Sequence, residues 1–315
     1  MIILNKLEQL KKVTKIVADT GDFLQINKYK PEDATTNPSL LLKAVQMSEY
    51  EYLVDLALKE AEIIEEAMIN ISVYFGTEIL KVVPGLVSTE VDARLSFDQE
   101  KTIKYARGII DKYDSLGVDK SRVLIKIAST WEGIKAAEIL EKDGIKCNLT
   151  LMFDICQAIA CAQSSVYLVS PFVGRITDWY MNTDGSQKFP EIENDKGVIS
   201  VKEIYTHYKK FGYTTVVMGA SFRHVNQVES LSGCDALTIS PALLSSLESD
   251  HSNLNIYLNE KNIDKSQMAD KYITENDFRW AMNENQMATE KLSDGIRQFA
   301  KDTCELENII RSKII

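Results

Sequence analysis

Short apolar runs rich in β-branched residues alternate with longer amphipathic segments along most of the chain. Eight of these runs have the length and composition of buried strands, and polar or glycine residues separate them from their neighbours. They lie at residues 15–20, 33–37, 85–92, 122–128, 146–151, 166–171, 214–220 and 236–240. Strands that alternate with helices in this way indicate an α/β protein built on a parallel sheet.

The segments between the strands carry helix boundary signals. Three of them pair a serine with Glu or Gln three residues later, which predicts a capping box, and each ends at a glycine. These sets are Ser96, Gln99 and Gly117; Ser129, Glu132 and Gly144; and Ser200, Glu203 and Gly212. Residues 38–84 are long enough for two helices, and residues 177–199 have the polar composition of a loop. The amphipathic end of the chain predicts a C-terminal helix over about 285–313.

Two architectures fit eight strands alternating with helices: an open doubly wound sheet and a closed barrel. The number of strands and the length of 315 residues favour a (β/α)8 TIM barrel with additional helices. No Gly-x-Gly-x-x-Gly follows the first strand and no Walker lysine motif occurs, so the usual marks of dinucleotide and NTP folds are missing. Because the sequence shows no internal repeat and no linker, we predict a single domain over residues 1–315.

The charge of the chain limits its partners. With 36 Lys and Arg against 46 Asp and Glu, the net charge is -10, which argues against nucleic acid and anionic membranes as partners. A small anionic substrate would need a local cluster of positive charge. No apolar run reaches the roughly 20 residues of a membrane-spanning helix, and the first apolar run is too short for a signal peptide.

Cysteine and histidine usage narrows the chemistry further. The five cysteines include no Cys-x-x-Cys pair, which favours reduced thiols and a cytoplasmic protein. His207, His224 and His251 are scattered along the chain, so neither a histidine zinc site nor a histidine triad is expected. The sequence predicts a site that needs no metal.

Lys126 is the candidate nucleophile. It lies in the middle of the apolar run at residues 122–128, where an unpaired ammonium group would cost several kcal/mol. A neutral amine inside a dry barrel can attack a carbonyl group and form a Schiff base. The alternative is a lysine on an exposed edge strand whose amine reaches water. The apolar neighbours of Lys126 on both sides weigh against that alternative.

Other polar residues lie near the carboxyl ends of the predicted strands, where barrel enzymes place their active sites. Asn148 and Thr150 share one strand face, either lining a site or facing water. Glu90 and Asp92 also share a face, and the alternative for them is an ion pair with Arg94. The remaining two have local alternatives: Asp19 could serve a turn, and Asn37, which precedes Pro38, could cap a helix.

A positive cluster for an anionic substrate can be proposed at two successive strand ends. Arg175 follows the sixth predicted strand and Arg223 follows the seventh. Ser221 and the neighbouring amides lie at the start of the helix after the seventh strand, and a helix N-terminus beside a guanidinium group binds phosphate readily. Either arginine alone would more often form a surface ion pair.

Taken together, these segments closely resemble transaldolases of the longer bacterial and eukaryotic subfamily. The matching stretches follow one another over nearly the whole chain, so the resemblance is stronger than any short motif. They are IVADTGD (16–22), DATTNPSLLL (33–42), STEVDARLS (88–96), LIKIASTWEGIKAAE (124–138), CNLTLMF (147–153), SPFVGRITDWY (170–180), VVMGASFR (216–223) and MATEKLSDGIRQFA (287–300).

The resemblance implies a (β/α)8 barrel without a cofactor that transfers a dihydroxyacetone unit through a lysine Schiff base in the non-oxidative pentose phosphate pathway. The implied donors are sedoheptulose 7-phosphate or fructose 6-phosphate, and the implied acceptors are glyceraldehyde 3-phosphate or erythrose 4-phosphate. The implied catalytic residues are Lys126 as nucleophile, Asp19 as acid/base, and Glu90 and Thr150 as holders of a water that relays protons. The implied substrate-binding residues are Asn37, Asn148 and Ser170 for the hydroxyl groups, Arg175, Ser221 and Arg223 for the phosphate, and Phe172.

Two alternatives stay open, and one residue departs from the family. Related fructose 6-phosphate aldolases release free dihydroxyacetone and use a tyrosine near position 172, whereas Phe172 lacks the hydroxyl and fits the transferase. A non-catalytic barrel that binds sugar phosphates is the second alternative. Asp154 replaces the serine usual in the family, which leaves its effect on rate or acceptor preference open. The resemblance also suggests a homodimer that uses the apolar C-terminal segment.

Overall fold

The computed structural model describes residues 4–314, and its eight parallel strands close into a barrel in chain order. The predicted (β/α)8 fold is therefore confirmed, and the open sheet is excluded. Each predicted run coincides with an observed strand, and no strand end differs from the prediction by more than two residues. The strands are β1 Lys15–Asp19, β2 Asp33–Thr35, β3 Val87–Glu90, β4 Val123–Ala128, β5 Cys147–Met152, β6 Leu168–Pro171, β7 Val216–Gly219 and β8 Ala236–Ile239.

Helices surround the barrel on its outside. The α-helices are α1 Lys6–Leu10, α2 Phe23–Tyr29, α3 Pro38–Val45, α4 Glu51–Lys59, α5 Ile64–Val82, α6 Gln99–Ser115, α7 Trp131–Lys142, α8 Ile155–Gln163, α9 Gly174–Asp184, α10 Lys196–Phe211, α11 Val225–Glu229, α12 Pro241–Ser249, α13 Glu275–Glu284 and α14 Gln286–Ile314. Short 3-10 helices occur at Ser48–Tyr50, Ala93–Leu95, Lys120–Arg122, Ile192–Asn194 and Glu260–Asn262. Within residues 4–314, none of the helices has the length and apolar character needed to cross a membrane.

The helix N-termini differ from the predicted capping boxes. Helices α6, α7 and α10 begin after Asp98, Thr130 and Asp195, whose side-chain oxygens accept hydrogen bonds from the first-turn backbone. The predicted serine caps are therefore wrong. In each case a better-placed side-chain oxygen lies close by in the sequence, so the spacing of Ser and Glu or Gln alone misplaced the cap.

The three serines have other partners or positions. The hydroxyls of Ser96 and Ser129 donate to the carbonyl oxygens of Ala93 and Thr150, and Ser200 lies inside α10. The predicted closing glycines, by contrast, are confirmed. Gly117, Gly144 and Gly212 have φ of 74°, 74° and 71°, the left-handed conformation with which helices commonly end.

Two further predictions about connections need correction. The segment 38–84 holds three α-helices and not two, because α4 and α5 are separate helices that pack against each other through buried side chains such as Val54 and Phe75. The segment 177–199 is a connection between α-helices only over residues 185–195, since α9 continues to Asp184 and α10 begins at Lys196. The polar residues at both ends of the segment belong to those helices, which the composition could not distinguish from a loop.

The barrel interior is apolar at one end and polar at the other. Val17, Leu124, Leu168, Met218 and Ala236 form a small cluster inside the barrel. The larger core lies between strands and helices, where alternate strand residues such as Ile125 and Ile127 point outward. Lys126 therefore points into the barrel. Since β4 is paired on both sides, with β3 and β5, the alternative of an exposed edge strand does not hold.

Helix α14 lies across the outside of the barrel near the carboxyl ends of the strands. Its apolar face is buried against the same chain through Leu292, Ile296, Phe299, Leu306 and Ile310. Arg94, in the 3-10 helix after β3, ties it down by an ion pair of 2.5 Å to Glu307. The apolar face of this tail is therefore already covered within the subunit.

Candidate active site

A cavity of about 160 Å³ opens at the carboxyl ends of the barrel strands, the position at which barrel enzymes place their chemistry. Its lining combines carboxylate, amine, hydroxyl and guanidinium groups with three phenylalanines. The lining residues include Asp19, Thr35, Asn37, Lys126, Thr150, Ser170, Phe172, Arg175, Met218, Ser221, Arg223, Thr238 and Phe299. Sequence positions more than 200 residues apart thus form one concave site.

Lys126 is buried at the base of this cavity, with 4% of its surface exposed. Its Nζ lies 3.1 Å from Oε2 of Glu90 and donates a hydrogen bond of 3.2 Å to the carbonyl oxygen of Thr36. The strand register places Glu90, Lys126 and Asn148 side by side on β3, β4 and β5. The amine is therefore held in one position with a carboxylate beside it.

Two buried carboxyl groups lie near the amine: Asp19 lines the cavity, and Glu90 lies behind its lining beside Nζ of Lys126. Burial raises the pKa of Asp19, at the end of β1, although the charges of Lys126 and Arg175 act to lower it. Burial also raises the pKa of Glu90, against the opposing influence of Lys126 and Arg175. A raised carboxyl pKa brings proton uptake closer to neutral pH, which is what a group that both accepts and returns a proton requires.

Hydroxyl and amide groups line the wall beside the amine. Asn148 on β5 donates from Nδ2 to Oγ of Ser88 at 3.0 Å and accepts from Oγ of Ser170 at 2.6 Å. These two hydrogen bonds fix the orientation of the Asn148 amide, with its oxygen toward β6. The hydroxyl of Thr150 is fully buried and has no hydrogen-bond partner among the described residues. These groups can bind substrate hydroxyls or water.

Arg175 lies at the opening of the cavity, near the start of α9. Its guanidinium stacks 5.1 Å from the ring of Phe172 and 5.5 Å from the ring of Phe299. Burial lowers the pKa of Arg175, and the nearby charge of Arg223 lowers it further. An anion placed between the two arginines would relieve both effects, which makes this end of the cavity an anion site.

Arg223 and Ser221 complete this end. Nη2 of Arg223 lies 2.7 Å from Oδ2 of Asp178 on α9, so the surface ion pair considered from the sequence also exists. Nη1 of Arg223 is 3.3 Å from Oγ of Ser221. Ser221 has a left-handed backbone with φ of 62°, an uncommon conformation for a residue other than glycine and one found often at functional sites.

The structure separates the alternatives left open for several residues. Asp92 accepts from Arg94 in an ion pair of 2.6 Å, as the alternative for that strand end required, whereas Glu90 pairs with Lys126 inside the barrel. Asn37 both caps α3, accepting from Leu40 N at 2.9 Å, and lines the cavity. Asp154 caps α8 and accepts from Asn285 Nδ2 at 2.6 Å. It therefore joins α8 to the start of α14 and does not line the cavity.

Seven lining residues were missed by the sequence reasoning. Thr35, Met218 and Thr238 lie on strands, Ala220, Phe222 and Ser240 follow the ends of β7 and β8, and Phe299 lies far away on α14. The hydroxyl of Thr238 is buried without a hydrogen-bond partner among the described residues. A threonine inside an apolar run was the only available signal. Within residues 4–314, no group of three or more His, Cys, Asp or Glu side chains could hold a metal ion.

Comparisons with known proteins all give the same family, and they cover nearly the whole chain. The model of the family described as Transaldolase/Fructose-6-phosphate aldolase matches residues 16–310. A protein of Drosophila melanogaster named "Probable transaldolase" is 56% identical, covering 97% of this chain and 95% of its own length. A protein of Cellvibrio japonicus named "Transaldolase" is 54% identical (98% and 99%). One of Bos taurus with the same name is 52% identical (98% and 94%).

Proposed function

The chain belongs to the transaldolase/fructose-6-phosphate aldolase family and is an enzyme of the transaldolase type, and from this premise we propose that Lys126 transfers a dihydroxyacetone unit between sugar phosphates. The donor is sedoheptulose 7-phosphate or fructose 6-phosphate, and the acceptor is glyceraldehyde 3-phosphate or erythrose 4-phosphate, as in the non-oxidative pentose phosphate pathway. The observation that carries the proposal is a buried amine between two carboxyl groups, in a cavity that also holds two arginines.

The reaction begins with attack of the Lys126 amine on the ketone carbon of the donor. Addition gives a carbinolamine, and loss of water from it gives a protonated imine. The proton that leaves the amine and the proton that joins the departing hydroxyl both need a carrier. Glu90 lies 3.1 Å from Nζ, and the buried Thr150 hydroxyl is free to bind a water. Glu90 and Thr150 therefore hold the relay water.

Cleavage follows from the imine. Asp19 removes the proton of the C4 hydroxyl, the C3–C4 bond breaks, and its electron pair moves toward the iminium nitrogen to give an enamine. The aldose phosphate leaves, and an acceptor aldehyde takes its place. Attack of the enamine on that aldehyde returns the proton from Asp19 and forms the protonated imine of the new ketose. Water then adds to the imine carbon, and the carbinolamine breaks down to the free ketose and the Lys126 amine. The raised pKa of Asp19 suits a group that must work in both directions.

The rest of the cavity orients the sugar. Asn37, Asn148 and Ser170 bind the hydroxyls of the dihydroxyacetone unit next to the amine. Arg175, Ser221 and Arg223 bind the phosphate at the other end. A phosphate between two guanidinium groups gives charge-assisted hydrogen bonds and fixes the distance of the reacting carbon from Lys126.

Transfer requires the enamine to survive until the acceptor arrives. Phe172 is 7% exposed and packs edge-on against Phe153 at 5.6 Å, so this wall offers no proton to the enamine. The relatives reported above are all named as transaldolases, which favours transfer over release of free dihydroxyacetone. The presence of the amine with both carboxyl groups weighs against a non-catalytic sugar-phosphate barrel.

Borohydride trapping tests the proposal. The protein is incubated with fructose 6-phosphate, reduced and digested, and the peptide containing Lys126 is analysed by mass spectrometry. We expect a reduced adduct on Lys126. In a separate assay with erythrose 4-phosphate as acceptor, the consumption of fructose 6-phosphate should match the formation of sedoheptulose 7-phosphate in a one-to-one ratio. Accumulation of free dihydroxyacetone would favour the aldolase alternative. A folded protein that binds the sugar but gives no adduct would exclude the Schiff base.

Assembly, location and domain structure also belong to the proposal. We infer a homodimer of single-domain subunits from the family resemblance, formed by a surface other than the apolar face of α14, which is buried in its own subunit. A sedimentation velocity experiment at micromolar concentration decides between monomer and dimer. All five cysteines are free and four are buried, which supports a cytosolic location.

A further inference from the structure

A buried polar network lies directly behind the two arginines at the cavity opening. Its members are Gln227 on α11, Thr177 on α9 and Asp195, the N-cap of α10, and at most 2% of each is exposed. None of the three lines the cavity. Buried polar side chains are costly unless every group is paired, so a complete network at this place calls for a reason.

Gln227 is the centre of the network. Its Oε1 accepts a hydrogen bond of 2.8 Å from the backbone N–H of Arg223. Its Nε2 donates to Oγ1 of Thr177 at 3.0 Å and to Oδ2 of Asp195 at 2.8 Å. One side chain thus connects the main chain of a phosphate-site arginine to α9 and α10.

Asp195 joins the same elements from the other side. Its Oδ1 accepts from the hydroxyl of Thr177 at 2.8 Å and from the backbone N–H groups of Gly197 and Val198 at 2.9 and 3.3 Å. Its Oδ2 accepts from Gln227. The buried carboxylate is compensated by four donors and by the N-terminus of α10.

The segment that this network holds is also attached to α9, through the ion pair of Arg223 with Asp178 and through Ser221. Residues 221–224 follow the end of β7 and precede α11, and the left-handed Ser221 stores some strain. The carbonyl oxygen of Ser221 accepts from Gly174 N at 2.7 Å, and the N–H of Arg223 is held only by Gln227 among the described residues. A Cβ at Gly174 would lie 2.4 Å from Ser221 O, so the segment packs tightly on α9.

We propose that Gln227, supported by Asp195 and Thr177, is a positioning residue for the phosphate-binding end of the site. It fixes the backbone of residues 221–223 relative to the start of α9, and thereby the spacing of Arg175 and Arg223. The proposal rests on the assignment of those arginines to phosphate in the proposed function. Loss of the network lowers the affinity for the phosphate group and leaves the reaction at Lys126 unchanged.

The test compares phosphorylated and unphosphorylated acceptors. KM and kcat are measured for glyceraldehyde 3-phosphate and for glyceraldehyde, together with the inhibition constant of inorganic phosphate. For Gln227→Met we expect KM for glyceraldehyde 3-phosphate and the phosphate inhibition constant to rise about tenfold. The KM for glyceraldehyde and both kcat values should stay within about twofold. A parallel rise of KM for both acceptors, or no rise for either, would overturn the proposal.

A pair of variants that exchanges the amide and the carboxylate distinguishes positioning from a general loss of stability. Gln227→Glu places a carboxylate next to Asp195, and Asp195→Asn removes the carboxylate, so each alone should weaken phosphate recognition. Combining Asp195→Asn with Gln227→Glu restores an acceptor for Arg223 N and an amide donor opposite a carboxylate. We expect the double variant to recover most of the lost affinity for phosphate. A double variant as impaired as the sum of the singles would contradict the network.

Three further variants complete the design. Gln163→Met removes a glutamine that bridges backbone groups of Lys271 and Ile273 away from the cavity, and it should leave both acceptors unchanged. If Gln227→Met does not fold, Thr177→Val replaces it as the test variant. For Thr177→Val we expect KM for the phosphorylated acceptor to rise about threefold. Arg223→Ala is the reference. If Arg223→Ala keeps the preference for the phosphorylated acceptor, the assignment of this end of the site to phosphate fails. If Arg223→Ala loses that preference and Gln227→Met keeps it, only the positioning role of Gln227 fails.

Discussion

Replacing Lys126 with methionine is expected to reduce kcat on the order of 10^4- to 10^6-fold, the range typical for loss of a covalent nucleophile. Methionine has nearly the length of the lysine stem, so the barrel interior stays filled. It has no amine, so neither the carbinolamine nor the imine can form. The measurement is transfer from fructose 6-phosphate to erythrose 4-phosphate, with the glyceraldehyde 3-phosphate that is released followed by a coupled assay.

The control for this prediction is Lys15→Met. Lys15 begins β1 at the opposite end of the barrel, where it pairs with Asp33 at 3.3 Å. That variant should retain activity within about twofold, because the amino ends of barrel strands serve stability and not chemistry. A Lys126→Met protein with a folded circular dichroism spectrum and more than about a hundredth of the original kcat would rule out an obligatory Schiff base on Lys126.

Replacing Asp19 with asparagine is expected to lower kcat about 10^2- to 10^4-fold, the usual contribution of a general acid/base. The amide keeps the shape of the side chain but cannot accept the C4 hydroxyl proton. Lys126 remains, so the imine with fructose 6-phosphate can form and wait uncleaved. Borohydride trapping should therefore yield mainly a six-carbon phosphorylated adduct, where the unaltered protein yields a three-carbon adduct. A predominant three-carbon adduct in Asp19→Asn would assign the proton transfer to another group.

The same variant has a stability signature. Because burial raises the pKa of Asp19, the folded protein binds that proton more tightly than the unfolded chain does. The charged carboxylate thus lowers the free energy of unfolding above the raised pKa, and this cost vanishes as pH falls below about 3.9, the ordinary value. Asp19→Asn should melt at a higher temperature than the unaltered protein at pH 7.5, with the gap narrowing toward pH 4.

Asp33→Asn serves as the matched control for both readouts. Asp33 is also a buried strand aspartate, but it accepts from Leu86 N at 2.7 Å at the other end of the barrel, where an asparagine oxygen can also accept. It should leave the three-carbon adduct unchanged and should not raise the melting temperature at pH 7.5. A loss of activity in this variant equal to that of Asp19→Asn would attribute the effect to barrel packing.

Local patterns predicted most of the fold because the period of apolar residues reports directly which face of an element is buried. Eight apolar runs gave eight strands, and the left-handed glycines ended their helices as expected. The caps at Ser96, Ser129 and Ser200 failed because a nearby side chain competes for the same backbone donors. The prediction of two helices for residues 38–84 failed because no Gly or Pro marks the break between α4 and α5.

The candidate site was accessible from the sequence wherever a polar residue interrupted an apolar run, as Lys126 and Asn148 do. Thr238 and Phe299 gave no such signal, since a threonine in a strand and a phenylalanine on an amphipathic helix are ordinary core residues. The Gln227 network was equally invisible. Its members lie on three different helices or their caps, and each alone reads as a polar residue of a surface helix.

The sequence by itself predicted the fold class and the family and singled out Lys126 as the candidate nucleophile, because each depends on residues that are close together in the chain. Only the tertiary structure decided which polar groups meet. It placed Glu90 beside Lys126 and left Asp92 to Arg94, brought Phe299 over Arg175 from the far end of the chain, and tied Arg223 to Asp195 through Gln227. Barrel closure and helix packing set those distances, and no local pattern of residues encodes them.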